Sequence, residues 1–279
     1  MRIPIPHTSA QAWESLRKTT QPKNIGLIFD RFVQQDWSRN AEKDIKKIAL
    51  QEIVFFKDRD GTNIPHKVDE LLLKAWIARW TEIAQKTNAG EIIKMKTDWR
   101  FVTGLGHKGP LETGFTFHRY GFPILPGSSV KGIARAYAMQ ALKLTEGNPI
   151  FQQLFGFAST SGEEKGASGI GNAIFFDAIP AHAPELKLDI INPHYPDYYQ
   201  DTSGKTPPTN WQSPIPSYFL TVAPNQEFYF AVGWRGKISE NAHKLAKECL
   251  IGGLQTFGAG AKTSAGYGYW HEVKPMDMP

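Results

Sequence analysis

Four glycines placed around a lysine near the end of the chain concentrate backbone that could hold an anion. The stretch is Phe257-Gly-Ala-Gly-Ala-Lys-Thr-Ser-Ala-Gly-Tyr-Gly-Tyr-Trp270, in which Gly258, Gly260, Gly266 and Gly268 surround Lys262, its one charge. Glycine admits positive φ and lets a second backbone approach closely. Successive N–H groups in such turns form concave nests for anions, and a lysine ammonium adds a mobile donor. The chemistry open to this stretch is phosphate binding. A long glycine-rich connection with a solvated lysine has the same composition, and both readings stand.

Two further segments carry similar chemistry. Gly104-Leu-Gly-His-Lys-Gly109 spells G-x-G-x-x-G, but Pro110, Gly114, Gly121 and Pro123 follow where a dinucleotide site needs a helix, and Phe115 and Phe117 alternate as in a hairpin. What survives is a basic glycine turn, His107-Lys108. At Pro126-Gly-Ser-Ser-Val-Lys-Gly-Ile-Ala-Arg-Ala-Tyr137, Ser128 or Ser129 can cap a helix whose buried stripe is Val130, Ile133, Ala134, Tyr137, Ala141 and Leu142. Lys131 stands in the first turn against the helix dipole, with Arg135 stacked one turn on. That small mismatch suits an anion site built from N–H groups, hydroxyls and a lysine. Gly260-Ala-Lys262-Thr263 has the look of a Walker A ending. Its glycine is not adjacent to the lysine, and a helix precedes it where a P-loop needs a strand, so an NTPase is excluded.

These segments need a scaffold. Ala242, Leu245, Ala246, Cys249, Leu250, Gly253 and Leu254 form one apolar helical stripe before the glycine-rich loop, and Tyr267, Tyr269, Trp270 and Val273 suit a strand after it. The first ninety residues read as mostly helical: 24–32 is an apolar segment punctuated by charge, and helices are expected over 41–56, with Lys43, Lys46 and Lys47 on a solvated face, and 68–84. The first strand is predicted at Asp98–Gly104, on the bulk of Trp99, Phe101 and Val102, with Lys94–Lys96 leading into it. Gly169–Ile179 reads as one further strand, and Ser217–Val222 and Glu227–Trp234 as an antiparallel pair across Ala223-Pro-Asn-Gln. A long loop is expected from Leu188 through Tyr199 to Pro216. His194, Tyr195, Tyr198 and Tyr199 in it either stack on nucleic-acid bases or pack over the sheet.

With the 217–234 strand pair counted as one unit, the resulting order is β-α-β-β-α-β, which predicts an α+β fold: a ferredoxin-like, RRM-like core with an antiparallel sheet and long loop insertions. A helical N-terminal extension would occupy 1–96 and the RRM-like domain 97–279. The RRM signature itself is missing.

Composition bounds the rest. The net charge of +5 favours a polyanionic partner weakly, and 41% hydrophobic residues in a chain of 279 suit a soluble globular protein. No apolar run approaches the roughly 20 residues of a membrane span and no apolar leader follows Met1, so no membrane partner and a cytoplasmic location are expected. Cys249 is the single cysteine and lies on the apolar stripe, which makes it a core thiol and excludes a cysteine zinc site. No G-x-S-x-G elbow supports a serine hydrolase. His107, Lys108, His118 and His194 have the types needed for general acid–base chemistry, but no spacing pairs them. Asp189 and Asp197 likewise show no ligand spacing for a divalent metal.

Taken together, the glycine-rich loop before the last strand, the early Gly-x-Gly turn and the Pro-Gly-Ser-Ser-Val-Lys-Gly helix start resemble the RAMP superfamily of CRISPR-associated proteins. Asn24-Ile-Gly-Leu-Ile-Phe-Asp-Arg31 and Asp189-Ile-Ile-Asn-Pro-His-Tyr-Pro-Asp-Tyr-Tyr199 are similar to the family of sixth subunits of the Cmr (type III-B) effector complex. The resemblance extends over residues 24 to 270. It implies a RAMP core and a non-catalytic, antiviral-defence subunit near the 3′ part of the guide RNA (crRNA). Its other partners would be the repeated backbone subunits, a neighbouring RAMP subunit and, as a further candidate, target RNA; it implies no cofactor and no metal. By that similarity Ser128, Ser129, Lys131, Arg135, Gly258, Gly260, Lys262, Gly266 and Gly268 are RNA-binding positions, and His107 and Lys108 of the basic turn join them. The resemblance assigns no role to the Asp189–Tyr199 motif. Other RAMP proteins cleave CRISPR RNA without metal, so a histidine-based endoribonuclease stands as the alternative.

Overall fold

Helical periodicity organises the first third of the chain. The computed structural model describes residues 7–16, 19, 21–33, 45–57, 60–89, 91–107, 111, 113–157, 169–209 and 216–273. Helices α1 (His7–Leu16), α2 (Ile25–Arg31), α3 (Ile45–Val54) and α4 (Glu70–Lys86) are accompanied by a small antiparallel pair, β1 (Phe55–Lys57) with β2 (Asn63–Pro65). The side chains of Asn24 and Asp69 cap α2 and α4 by accepting the N–H groups of Leu27 and Leu72 at 2.9 and 3.0 Å. Asn24 also donates to the Arg119 carbonyl at 2.8 Å, and a Cβ on Gly26 would stand 2.6 Å from Phe117, so the 24–31 motif serves docking of α2. Lys47, expected on a solvated face, lies 5.5 Å from the Tyr218 ring centroid. Lys43 lies outside the described residues. No helix among the described residues is long and apolar enough to cross a membrane.

The remaining elements, in chain order, are β3 (Ile93–Thr97), α5 (Gly127–Gln140), α6 (Pro149–Phe155), β4 (Gly156–Phe157), β5 (Gly169–Ile170), β6 (Ala173–Phe175), β7 (Ile179–Pro180) and β8 (Leu186–Ile191). Then come α7 (Pro196–Gln200), β9 (Ser217–Val222), β10 (Glu227–Phe230), β11 (Val232–Trp234), α8 (Glu240–Thr256) and β12 (Trp270–Glu272). The central sheet is antiparallel and runs β12-β3-β10-β7. Counting its strands with α5 and α8, the chain reads β-α-β-β-α-β in the spatial order fourth, first, third, second, which is the expected ferredoxin-like, RRM-like core. Ile93, Met95, Thr97, Phe228 and Phe230 are buried while Lys94, Lys96 and Tyr229 are only partly so, the alternation of a sheet packed on one face. Trp270 closes the core with its ring 5.1–5.4 Å from those of Phe101, Phe228 and Phe230. Helices α5 and α8 pack with little between them: a Cβ on Gly252 would stand 2.3 Å from the Tyr137 ring, and one on Gly253 would stand 2.9 Å from the Ile133 carbonyl.

Strand placement departs from expectation at three points. The first strand begins at Ile93, with Lys94 and Lys96 inside it, and Asp98–Gly104 holds only a bridge between Phe101 and Val222. Gly169–Ile179 is three short strands with different partners: β5 pairs with β4, β6 with β11 and β7 with β10. Gly171, packed against the Leu154 carbonyl, separates the first two. The strands β9 and β10 do not pair with each other. Strand β9 pairs along all six residues with β8, part of the expected long loop, and β10 lies between β3 and β7. Thr97 forces the separation, since its N–H donates to the Gln226 carbonyl while its hydroxyl accepts the Gln226 N–H, both at 3.0 Å.

The segment around Phe101 laces these parts together. Phe101 exchanges backbone hydrogen bonds with Val222 at 3.1 and 2.8 Å, and the neighbouring carbonyls of Arg100 and Val102 accept from Gly268 and Ala261 at 2.9 and 2.8 Å. Side chains reinforce the seam. Asp189 on β8 takes an ion pair from Arg100 Nη1 and a hydrogen bond from the Tyr267 hydroxyl on one oxygen, each at 2.5 Å. Its other oxygen accepts the Ile190 N–H at 2.8 Å. Burial pulls the Asp189 carboxyl upward, but the hydrogen bonds from Tyr267 and Ile190 and the charge of Arg100 outweigh it and hold it below the ordinary carboxylate range. Burial first, then the hydrogen bond to Asp189 and its charge, push the Tyr267 hydroxyl up to about 12, against Arg100. The start of the Asp189–Tyr199 motif therefore holds the glycine-rich loop in place.

Two expected outcomes follow from this packing. Folded Tyr267 keeps its proton beyond the value of about 10 at which an unfolded tyrosine releases it, so its contribution is complete below pH ~10 and is lost as pH rises toward about 12. Tyr267→Phe should remove that alkaline loss and cost about 1–2 kcal/mol at neutral pH, checked by urea unfolding across pH 7–11; an unchanged alkaline slope would refute the pairing. Cys249 is fully buried, with its thiol pushed up to about 12 by burial and then by Glu248. Cys249→Asp should unfold the chain or destabilise it by more than ~3 kcal/mol, measured the same way.

Candidate nucleic-acid interface

Three segments distant in sequence meet around one open cleft of about 730 Å³. The turn at Gly104–His107 forms one wall, closed by the His107 N–H donating to the Gly104 carbonyl at 2.9 Å. Helix α5 forms the second wall through Ser129, Gly132, Ile133, Ala136 and Gln140, which recur at helical spacing on one face. The end of α8 and the glycine-rich loop, Thr256–Ala261 with Thr263 and Ser264, form the third, and Tyr269 completes the lining.

Steric demand explains much of the glycine content. Gly260 has φ +103°, and a Cβ there would stand 2.3 Å from the Val102 carbonyl; Gly268 has φ +72°, and a Cβ there would stand 2.0 Å from the Ala259 carbonyl. The loop thus lies with its backbone against Arg100–Val102 and against itself, with the Ala259 N–H donating to Gly268 at 2.7 Å. At its tip, Thr263–Ala265 make one 3₁₀ turn entered from Lys262 at φ 62°. The N–H groups of Gly260, Thr263 and Ser264, all lining residues, have no acceptor among the described residues.

Of the residues expected to bind RNA, Ser129, His107, Gly258 and Gly260 line the cleft. Lys108 lies outside the described residues. Ser128 is exposed but is not part of the lining, and neither exposed Gly266 nor buried Gly268 belongs to it. Lys131 is about 200° around α5 from Ser129 by helical geometry, on the side away from the cleft. Arg135 pairs with Glu146 and sits 5.4 Å from the Phe151 ring centroid, tying α5 to α6. Lys262 directs its ammonium over Phe219 and Tyr267, at 5.6 and 6.0 Å from their centroids.

The expected serine cap is absent from α5. Its N-cap is Pro126, which makes no side-chain hydrogen bond, and the Gly127 N–H donates to Asp177 Oδ1 at 2.6 Å. A carboxylate of the protein itself therefore occupies the place at the helix dipole where a phosphate was expected. Thr103, Gly132, Gln140, Thr256, Thr263, Ser264 and Tyr269 belong to the lining without having been singled out. An isolated glycine inside a helix, Gly132, was the signal available for one of them.

The residues suited to acid–base chemistry are not gathered. His107 lines the cleft, whereas His118 is packed among Trp76, Tyr120 and Phe122 with centroids at 4.5, 5.0 and 4.5 Å. Burial lowers the His118 pKa, opposed by Asp177 and assisted by Arg119. His194 is exposed, 6.3 Å from Tyr195. Tyr198 and Tyr199 on α7 are exposed with their rings 5.6 Å apart. Among the described residues no group of three or more His, Cys, Asp or Glu stands where it could hold a metal.

Comparison with known proteins agrees with this architecture. The RAMP superfamily model matches residues 93–271, from the first residue of β3 almost to the end of β12. The CRISPR system Cmr subunit Cmr6 of Pyrococcus furiosus is 34% identical over 257 aligned residues, covering 74% of each chain. The Cmr6 subunit of Saccharolobus solfataricus is 31% identical over 169 residues, 59% of this chain and 50% of that relative. The fold is shared with a chain of the Type III-B Cmr-beta complex bound to cognate target RNA, solved by cryo-EM, at a TM-score of 0.57 and 21% identity, covering 86% of this chain and 77% of that one. With the family model spanning more than half of its residues and the first relative matched along 74% of both chains, the chain belongs to the RAMP superfamily and to the same family as these Cmr6 proteins.

Proposed function

We propose that this chain is a non-catalytic RNA-binding subunit of a cytoplasmic type III-B CRISPR (Cmr) effector complex. It holds the 3′ part of the guide RNA in the cleft and contacts the backbone subunits and a neighbouring RAMP subunit. The observation that carries this reading is convergence: the Gly104–His107 turn, one face of α5 and the glycine-rich loop line a single open cleft and present N–H donors and hydroxyls to it. Its volume, about 730 Å³, lies within the range of pockets that enclose a nucleotide-sized ligand. Kinship with Cmr6 proteins supports the assignment to an effector complex. The dispersal of His107, His118 and His194 favours holding RNA over cutting it.

Gly132 offers a direct test. A Cβ at this lining position meets nothing within 4 Å, so Gly132→Glu places a carboxylate in the cleft without a packing cost, and glutamate is the better helix former. Gly147→Glu adds the same charge outside the cleft, where the nearest atom is 3.9 Å from the added Cβ. By fluorescence anisotropy with a labelled single-stranded RNA, Gly132→Glu is expected to bind at least about tenfold more weakly, with Gly147→Glu close to the parent. Equal binding by both variants would place RNA elsewhere. RNA recovered intact on a denaturing gel supports the holding role, and specific cleavage would establish the endoribonuclease.

A further inference from the structure

The lining of the cleft is chemically unlike a phosphate channel. Thr103, Ser129, Thr256, Thr263 and Ser264 bring hydroxyls and Gln140 a carboxamide, groups that both donate and accept. Phosphate oxygens only accept, and proteins that track a phosphate backbone do so with lysine and arginine. Among the described residues the lining holds no lysine or arginine. Among the described residues, three cations near these segments are engaged elsewhere: Lys262 over Phe219 and Tyr267, Arg135 with Glu146, and Arg100 with Asp189. The helix N-terminus that could have added a partial charge is occupied by Asp177.

A ribose 2′-hydroxyl fits this set, because it donates to a threonine or glutamine oxygen while accepting from a hydroxyl or from the N–H groups of Gly260, Thr263 and Ser264. Resting on the reading that RNA occupies this cleft, we infer that the cleft recognises the ribose 2′-hydroxyls of the strand and so distinguishes RNA from DNA by neutral hydrogen bonds. Thr263 and Ser264, at the tip of the loop, are the discriminating side chains. Recognition of this kind is insensitive to salt, since it releases no counterions.

The test compares three labelled single strands of one sequence, RNA, DNA and 2′-O-methyl RNA, titrated with the intact protein at roughly 50 and 200 mM salt. DNA and 2′-O-methyl RNA are expected to bind at least about tenfold more weakly than RNA, by a ratio that is the same at both salt concentrations. The double variant Thr263→Val/Ser264→Ala, with unchanged thermal unfolding, should bring that ratio toward one and leave the salt dependence as in the parent. Equal affinity for RNA and DNA, or a double variant that loses about one unit of salt slope while keeping its RNA preference, would overturn the inference. Gly132→Glu separates the two failures. If it abolishes RNA binding while RNA and DNA bind the parent alike, only the 2′-hydroxyl inference falls; if it binds RNA like the parent, the cleft itself is not the RNA site.

Discussion

The backbone seam between residues 100–102 and the glycine-rich loop is the constraint from which the cleft follows. Phe101 spends its own N–H and carbonyl on Val222, so the carbonyls of Arg100 and Val102 face the other way and receive Gly268 and Ala261. A seam made of backbone on both sides leaves no room for side chains, and this is why residue 260 must lack a Cβ. Asp189 then fastens the same seam from the β8–β9 ribbon through Arg100 and Tyr267. With the loop fixed there, its tip and the end of α8 face α5 across open space.

Local patterns in the sequence carried the long helices well but not the short α6 and α7, and the strands poorly, for a physical reason. The Cys249 stripe, the helix from Gly127 and the glycine-rich loop depend on neighbours within a few residues, and each is found where periodicity or composition puts it. Strands of two or three residues such as β5, β6 and β7 are too short for alternation to show, and their partners come from distant parts of the chain. The order of elements survived these misplacements because β9 and β11 leave the central sheet, so that one strand of the expected pair remains in it.

The site divides along the same line. The lining glycines Gly258 and Gly260 were legible because backbone freedom acts where it stands in the chain, whereas of the lining hydroxyls only Ser129 was, Thr103, Thr256, Thr263 and Ser264 being brought to the cleft by the fold. Long cations were not, since the place a lysine or arginine head occupies is decided by partners that spacing does not reveal. Glu146 holds Arg135, the Phe219 and Tyr267 rings hold Lys262, and Asp177 replaces the serine cap. Asp177 has a second duty, because its backbone carbonyl accepts the Trp80 indole N–H at 3.1 Å. One residue thus joins the helical N-terminal part, which precedes the RAMP match, to the wall of the cleft.

The contact of α5 with α8 through Gly252 and Gly253 gives the cleft an uneven mechanical character. Gly252 seats the Tyr137 ring and Gly253 brings α8 up to the Ile133 carbonyl, so the two closely packed helices form a single slab under one side of the groove. The opposite lip is the 3₁₀ turn at Thr263–Ala265, where a Cβ on the following Gly266 would meet nothing within 4 Å. That lip has open space beyond its backbone, in contrast to the close helix contact under the other side. On the reading proposed above, in which RNA occupies the cleft, the slab acts as an anvil that sets the depth to which a strand can seat.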